Sequence, residues 1–210
     1  MKVLIDFHAH HPSLGGERVV QDGIDTQGRH PWHLASTPPH YGGVWEGAIA
    51  VGESGLDRLC DTPYDLQLQV FREEVQRSEA LEKPLFLHCV RAIDDVLAIR
   101  RELHALQPWI WHGYRGNAQQ LLQLLKLPEQ ALAPTGRAGR GAFYFSFGIH
   151  YNEKALLACP LNRLLLETDD NTTIPIADHY AQVAHLKAIP LADLVRQMHD
   201  NFLTLFGEEA

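Results

Sequence analysis

Val3-Leu4-Ile5-Asp6-Phe7-His8-Ala9-His10 lies two residues into the sequence. The apolar run Val3-Leu4-Ile5 reads as a short buried β-strand that closes on two histidines. Side chains on a strand alternate faces, so His8 and His10 point the same way and can grip one metal ion together. In a chain with 13 histidines such a pair is a weak signal alone. It gains force from further ligand-type residues, each at the end of a later apolar run.

Those runs follow in order. Ala48-Ile49-Ala50-Val51 leads into Gly52-Glu53, Leu85-Phe86-Leu87 into His88-Cys89, and Trp109-Ile110-Trp111 into His112. Phe143-Tyr144-Phe145 reaches Ser146, and Leu164-Leu165-Leu166 leads into Glu167-Thr168-Asp169-Asp170. Near-continuous apolar runs fit strands buried on both faces. Between them lie helical patterns. Thr62-Pro63 reads as N-cap and first helical residue before Tyr64, Leu68, Phe71 and Val75, and Lys83-Pro84 ends that helix. Ile93, Val96, Arg100 and Leu103 mark a second, and Asn117 caps a third through Leu121, Leu124 and Leu125. Glu153 to Cys159 makes a short one, and Leu191 to Leu205 a last one stopped by Gly207. Glu17 to Asp22 reads as a brief helix or strand, and residues 128–141 as a loop.

Alternating strands and helices mean βα units around a parallel sheet. The fold class is α/β, a TIM-like (β/α) barrel truncated to about seven strands, in a single domain over residues 1–210. In such a barrel every strand C-terminus meets at one face. His8, His10, Glu53, His88, His112 and Asp169 should therefore converge on one mouth.

Composition narrows the partners. The formal net charge of −8 repels nucleic acid in bulk, so a phosphate ester would need local cations, metal ions first among them. No apolar run approaches the roughly 18 residues of a membrane span. Asp6 and His8 interrupt the first apolar stretch before a signal peptide could form. Cys60, Cys89 and Cys159 have no C-x-x-C spacing and read as free thiols in a reducing cytoplasm. Four histidines and two carboxylates suit two divalent ions bridged by one carboxylate, a pairing that serves hydrolysis at phosphorus or carbonyl centres. Imidazole favours zinc, and the carboxylates admit manganese or magnesium. Cys89, next to His88, should face away from such a site.

The motifs DFHAH (6–10), GRHPW (28–32), VGESGLD (51–57), PLFLHC (84–89), HGYRG (112–116), YFSFG (144–148) and LLLETDD (164–170) stand in one order along nearly the whole chain. As a set they resemble the TatD family of metal-dependent deoxyribonucleases, within the amidohydrolase superfamily. The resemblance implies that His8, His10 and Asp169 bind one metal, that His88 and His112 bind a second, and that Glu53 bridges them. It implies that Asp169 also orients or deprotonates the attacking water. The implied activity is hydrolysis of phosphodiesters, with DNA the substrate in the family's case.

Compared with the family's pattern, one βα unit between His10 and Gly28 is reduced or missing. Val90 stands where the family has arginine, with Arg91 one place later, and Asp170-Asn171-Thr172 replaces a longer substrate loop. The ligand set is complete while substrate-contacting parts are trimmed. His30, Arg91 and Arg115 are candidate substrate contacts, and Arg137 and Arg140 lie in a loop that could approach a phosphate. A related phosphoesterase, an amidohydrolase acting on a C–N bond, and a non-catalytic metal-binding barrel are the competing readings.

Overall fold

The computed structural model describes residues 3–34, 47–127 and 141–207. Arg137, Arg140, His40 and Trp45 lie outside the described residues.

The chain alternates strands and helices around one apolar core. The strands are β1 (Ile5–Ala9), β2 (Arg18–Gln21), β3 (Thr26–Gln27), β4 (Ala50–Asp57), β5 (Leu85–Val90), β6 (Trp109–Trp111), β7 (Phe143–Phe147) and β8 (Leu164–Leu166). The helices are α1 (Tyr64–Leu81), α2 (Ile93–Glu102), α3 (Ala118–Leu125), α4 (Glu153–Ala158), α5 (Ile176–Leu186) and α6 (Leu191–Phe206). β1 pairs parallel to β2, and β3 to β8 form one six-stranded parallel sheet in sequence order. Two isolated parallel bridges, Asp22–Thr26 and Ala9–Asp169, join the two sheets at both ends and close the ring.

The strand count differs from the expected seven or so. Eight short strands surround the core, because residues 18–21 and 26–27 each supply one. The truncation falls on the helices instead. Among the described residues, no α-helix follows β1, β2 or β3, and only a single 3-10 turn, Pro31–His33, follows β3.

Local chemistry explains the remaining differences. The first strand begins at Ile5, and Val3 is exposed. The run before Glu53 continues through it, so VGESGLD is itself strand. α1 starts at Tyr64 with Pro63 at the cap position and no side-chain cap bond, so Thr62 does not cap it. Asn117 does cap α3, its side chain accepting from the Gln120 N–H at 2.9 Å. At the far end of α6, Gly207 takes φ 75° and donates its N–H to Leu203.

Register puts the strand ends level. Leu87 pairs with Trp111 and Trp111 with Phe145, so His88 and His112, one residue further on, sit side by side. β4 is squeezed between its neighbours. A Cβ on Gly52, where φ is 133°, would lie 2.7 Å from the Phe86 backbone oxygen. One on Gly55 would lie 1.8 Å from the His88 carbonyl oxygen. Only glycine permits this approach, and it clamps Glu53 between two glycines at the ring's centre.

Candidate metal centre

Glu53 is the hub. It is 3% exposed, and five imidazoles surround its two oxygens. On Oε1 lie His88 Nδ1 at 2.6 Å, His30 Nε2 at 3.2 Å and His112 Nε2 at 3.3 Å. On Oε2 lie His8 Nε2 at 3.3 Å and His10 Nε2 at 3.8 Å. Asp169 completes the circle, its Oδ1 3.5 Å from His10 Nε2.

All six expected ligands therefore converge at one mouth. Two sets of ligand atoms within 4.8 Å of one another are His8 with His10 and Glu53, and His8 with His112 and Asp169. A third set, His30 with Glu53 and His88, brings in a residue expected only to touch substrate. Its Nε2 lies 3.3 Å from His88 Nδ1. Arg91 and Arg115 are further out. Both are exposed and line the same cleft, of about 890 Å³. Neither has a side-chain partner among the described residues.

The backbone explains the placement. His8 and His10 leave β1 on one face, with rings 5.0 Å apart. Asp169 follows β8 with φ 58°, donates its N–H to the His8 carbonyl at 3.0 Å and accepts from the His10 N–H at 3.2 Å. Its carboxylate is thus fixed to the same strand end as the two histidines.

Two acids behind the cluster escaped the sequence reading. Asp57 Oδ2 is 3.2 Å from His88 Nε2, and Glu167 Oε1 is 3.1 Å from His112 Nδ1. Both acids are buried. Each thus fixes which nitrogen of its imidazole faces the hub, as acids behind metal-binding histidines do. The signal was present, since Asp57 ends VGESGLD and Glu167 stands in LLLETDD. Asp22 is a third, its Oδ2 3.7 Å from His10 Nδ1.

Electrostatics follow the geometry. Burial alone would raise the Glu53 carboxyl, but the surrounding imidazoles, His112 foremost, hold it well below the carboxylate range. Burial likewise works against a charged His112, yet Glu53 and Glu167 push its pKa up to about 10. His8 is raised too, Glu53 outweighing burial and the neighbouring His112. The buried carboxylates and imidazoles of the site thus favour each other's charged forms.

The residues fit a divalent ion. His8 is wholly buried, yet neither of its ring nitrogens makes a hydrogen bond. Such an orphan is costly unless something satisfies it. Nitrogen and carboxylate donors at this density are what zinc, manganese or magnesium take. Among the described residues no cysteine sulfur belongs to these ligand sets, and burial pushes the Cys89 thiol up to about 12.

The family model for TatD related DNase matches residues 26–207. The chain belongs to that family. Among TatD relatives, the human 3'-5' RNA nuclease TATDN2 is 32% identical over 143 residues, which are 66% of this chain and 18% of TATDN2. The 3'-5' ssDNA/RNA exonuclease TatD of Pantoea is 29% identical over 167 residues, 69% of this chain and 59% of the relative. The chain thus spans less than two thirds of either relative. The TatD homologue YJJV of Escherichia coli superimposes with a TM-score of 0.68 at 22% identity, over 87% of this chain and 76% of that one. That likeness establishes the TatD barrel fold for this chain.

Proposed function

We propose that residues 1–210 form one metal-dependent phosphodiesterase domain that hydrolyses single-stranded nucleic acid, DNA first. The observation that carries this is Glu53, a buried carboxylate with imidazoles from four strand ends or turns on its two oxygens. The fold family and the nuclease activities of its TatD relatives point the same way. One continuous buried core supports a single domain.

In this reading the cluster would take two divalent ions, zinc, manganese or magnesium. His8, His10 and Asp169 would hold one, His88 and His112 the other, and Glu53 would serve both. When bound, such ions supply Lewis-acid activation of the phosphoryl oxygens and a water acidic enough to ionise near neutral pH. The chain's own residues do the rest. Asp169, pinned to β1 through its backbone, takes the proton of the attacking water. Glu53 keeps the two ligand groups at a fixed spacing. Asp57 and Glu167 hold His88 and His112 in register. Arg91, Arg115 and His30 face the substrate, and the two arginines set positive charge at the mouth of a chain whose net charge is −8. No described helix is long and apolar enough to cross a membrane. Three free cysteines support work in the reducing cytoplasm.

The test is a metal-loaded screen over single-stranded DNA, RNA, nucleotide monoesters and aryl phosphodiesters, with bound metal counted by mass spectrometry. Cleavage of a single-stranded polymer, abolished by chelation, with two ions per chain is the expected result. Cleavage of C–N bonds alone, or none with metal in place, would overturn the reading.

A further inference from the structure

We propose that Trp32 is a stacking platform for a nucleobase, a base subsite beside the metal-binding cluster. This deepens the phosphodiesterase reading and rests on it.

Trp32 is 56% exposed and lines the cleft that holds His10, Glu53 and His88. Its single polar atom is not what water sees. The indole Nε1–H donates to Asp57 Oδ2 at 2.7 Å, and Asp57 is buried. What is exposed is therefore the apolar ring. Scattered surface hydrophobics are ordinary in proteins, but this one is held in place. The other Asp57 oxygen accepts from the Leu59 N–H at 2.7 Å, and the Asp57 N–H donates to Gln67 at 2.8 Å. Pro31, before Trp32, is buried and fixes the turn. The ring cannot fold away to hide its surface without breaking the bond to Asp57.

Position supplies the second half of the argument. The indole stands nearly perpendicular to His30, with centroids 5.0 Å apart, and to His88, at 5.8 Å. Both imidazoles touch Glu53. A planar group lying on the indole would thus adjoin any phosphate held at the hub. The cleft, about 890 Å³, falls within the usual range of about 300–1,000 Å³ for ligand sites. Arg91 and Arg115, on the same cleft, can take the neighbouring phosphates. A rigid aromatic face, a metal-type cluster beside it and free guanidinium groups around it make the three contacts of a single-stranded polymer: base, scissile phosphate and flanking phosphate. Stacking is tolerant of base identity because every base has a π-face, so this subsite reads the presence of a base and not its sequence.

Because Trp32 also steadies Asp57, and through it His88, the test must separate stacking from positioning. The probes are fluorescein-labelled oligothymidylate and oligouridylate with hydrolysis-resistant phosphorothioate links, and a chain of the same length and linkage whose sugars lack bases. Binding to the metal-loaded protein is read by anisotropy, independently of cleavage. Trp32→Ala should weaken both base-bearing probes about tenfold and leave the abasic chain unchanged. Trp32→Phe loses the bond to Asp57 but keeps a ring, so it should keep most of the base-dependent affinity. Equal losses on base-bearing and abasic chains, or no loss with Trp32→Ala, would overturn the subsite. A wild-type protein that cleaves phosphodiesters but binds all chains alike would sink this inference and leave the hydrolase reading standing. One that binds with base dependence but cleaves nothing would do the reverse.

Discussion

The two arcs of the barrel are built differently and deliver the same goods. From β4 to β8 every strand is followed by at least one α-helix; from β1 to β3 the described residues contain none. Yet His8, His10 and His30 come from the bare arc, and His88, His112 and Asp169 from the clothed one, all to Glu53 or its neighbours. The helix layer buries the outer face of a barrel, whereas the mouth needs only strand ends at the right height. The bare arc borrows its cover. Phe202 of α6 packs its ring 6.0 Å from Phe7, and Tyr180 of α5 bonds to Ile5 at both N–H and carbonyl. Arg29 is tied to Glu73 and Glu74 of α1 at 2.7 and 2.6 Å.

Glu53 is where the two arcs meet, so the largest effect should come there. Glu53→Gln keeps the shape but removes the charge that both groups of imidazoles face. We expect loss of the second metal and of nearly all activity, read by metal stoichiometry and turnover together. Unchanged stoichiometry and rate would show that the arcs hold their ions independently. Asp169→Asn comes next. The amide still offers an oxygen, so metal should return at saturating concentration. It cannot take a proton, so turnover should stay about 10²-fold or more below wild type. Full rescue by metal would make Asp169 a ligand only.

The comparison sharpens behind the ligands. His88 and His112, in the clothed arc, each have a buried acid on the ring nitrogen turned away from Glu53; among the described residues His8 Nδ1 has no hydrogen-bond partner, and His10 Nδ1 has Asp22 at 3.7 Å. Asp57→Asn and Glu167→Gln should each weaken metal binding about 10–100-fold. Asp22→Asn should weaken it less, because its bonds go chiefly to Thr26 Oγ1 and the Glu53 N–H. Calorimetric titration of metal into the three variants decides the order. An equal loss from Asp22→Asn would erase the distinction.

The same division governs what could be read from sequence. The clothed arc announces itself, because β5, β6, β7 and β8 each carry a run of three apolar residues followed by a polar one, His88, His112, Ser146 and Glu167. The bare arc does not. Arg18–Gln21 and Thr26–Gln27 are too short and polar to show a period, so the strand count fell short there. The metal-type ligands were legible because they recur at strand ends. Asp57 and Glu167 were not singled out because their roles depend on a partner 31 or 55 residues away. His30 was expected to touch substrate, and only the folding of its turn shows how close it stands to Glu53. α5 was missed for a related reason. Its buried face runs Ile176, His179, Tyr180, Val183 and Ala184, and two polar residues in that stripe disguise the apolar spacing.

Those two residues of α5 allow the smallest tests, one on each arc. Tyr180→Phe strips the hydroxyl that donates to the Ile5 carbonyl at 2.7 Å and accepts from the Ile5 N–H at 3.3 Å. The bare arc should lose about 1–3 kcal/mol of stability, measured by denaturant unfolding. His179 serves the other arc, bonding through Nε2 to the Phe147 carbonyl at 2.8 Å. Burial lowers its pKa below the ordinary value of 6.5, the Phe147 bond offsetting this only in part. Below pH 6.5 the unfolded chain therefore takes a proton that the native site refuses. The unfolded state binds more protons in that window, so stability falls as pH drops through it and is flat above. His179→Gln keeps a donor for Phe147 and removes the titration. Subtracting the variant's unfolding free energy from that of the wild type at each pH cancels the other titrating groups. The difference should be constant above pH 6.5 and turn against the wild type below it, with a slope of at most about 1.4 kcal/mol per pH unit for one proton. A difference that stays level down to pH 5 would mean that His179 accepts its proton without leaving α5, and that its burial costs the clothed arc nothing.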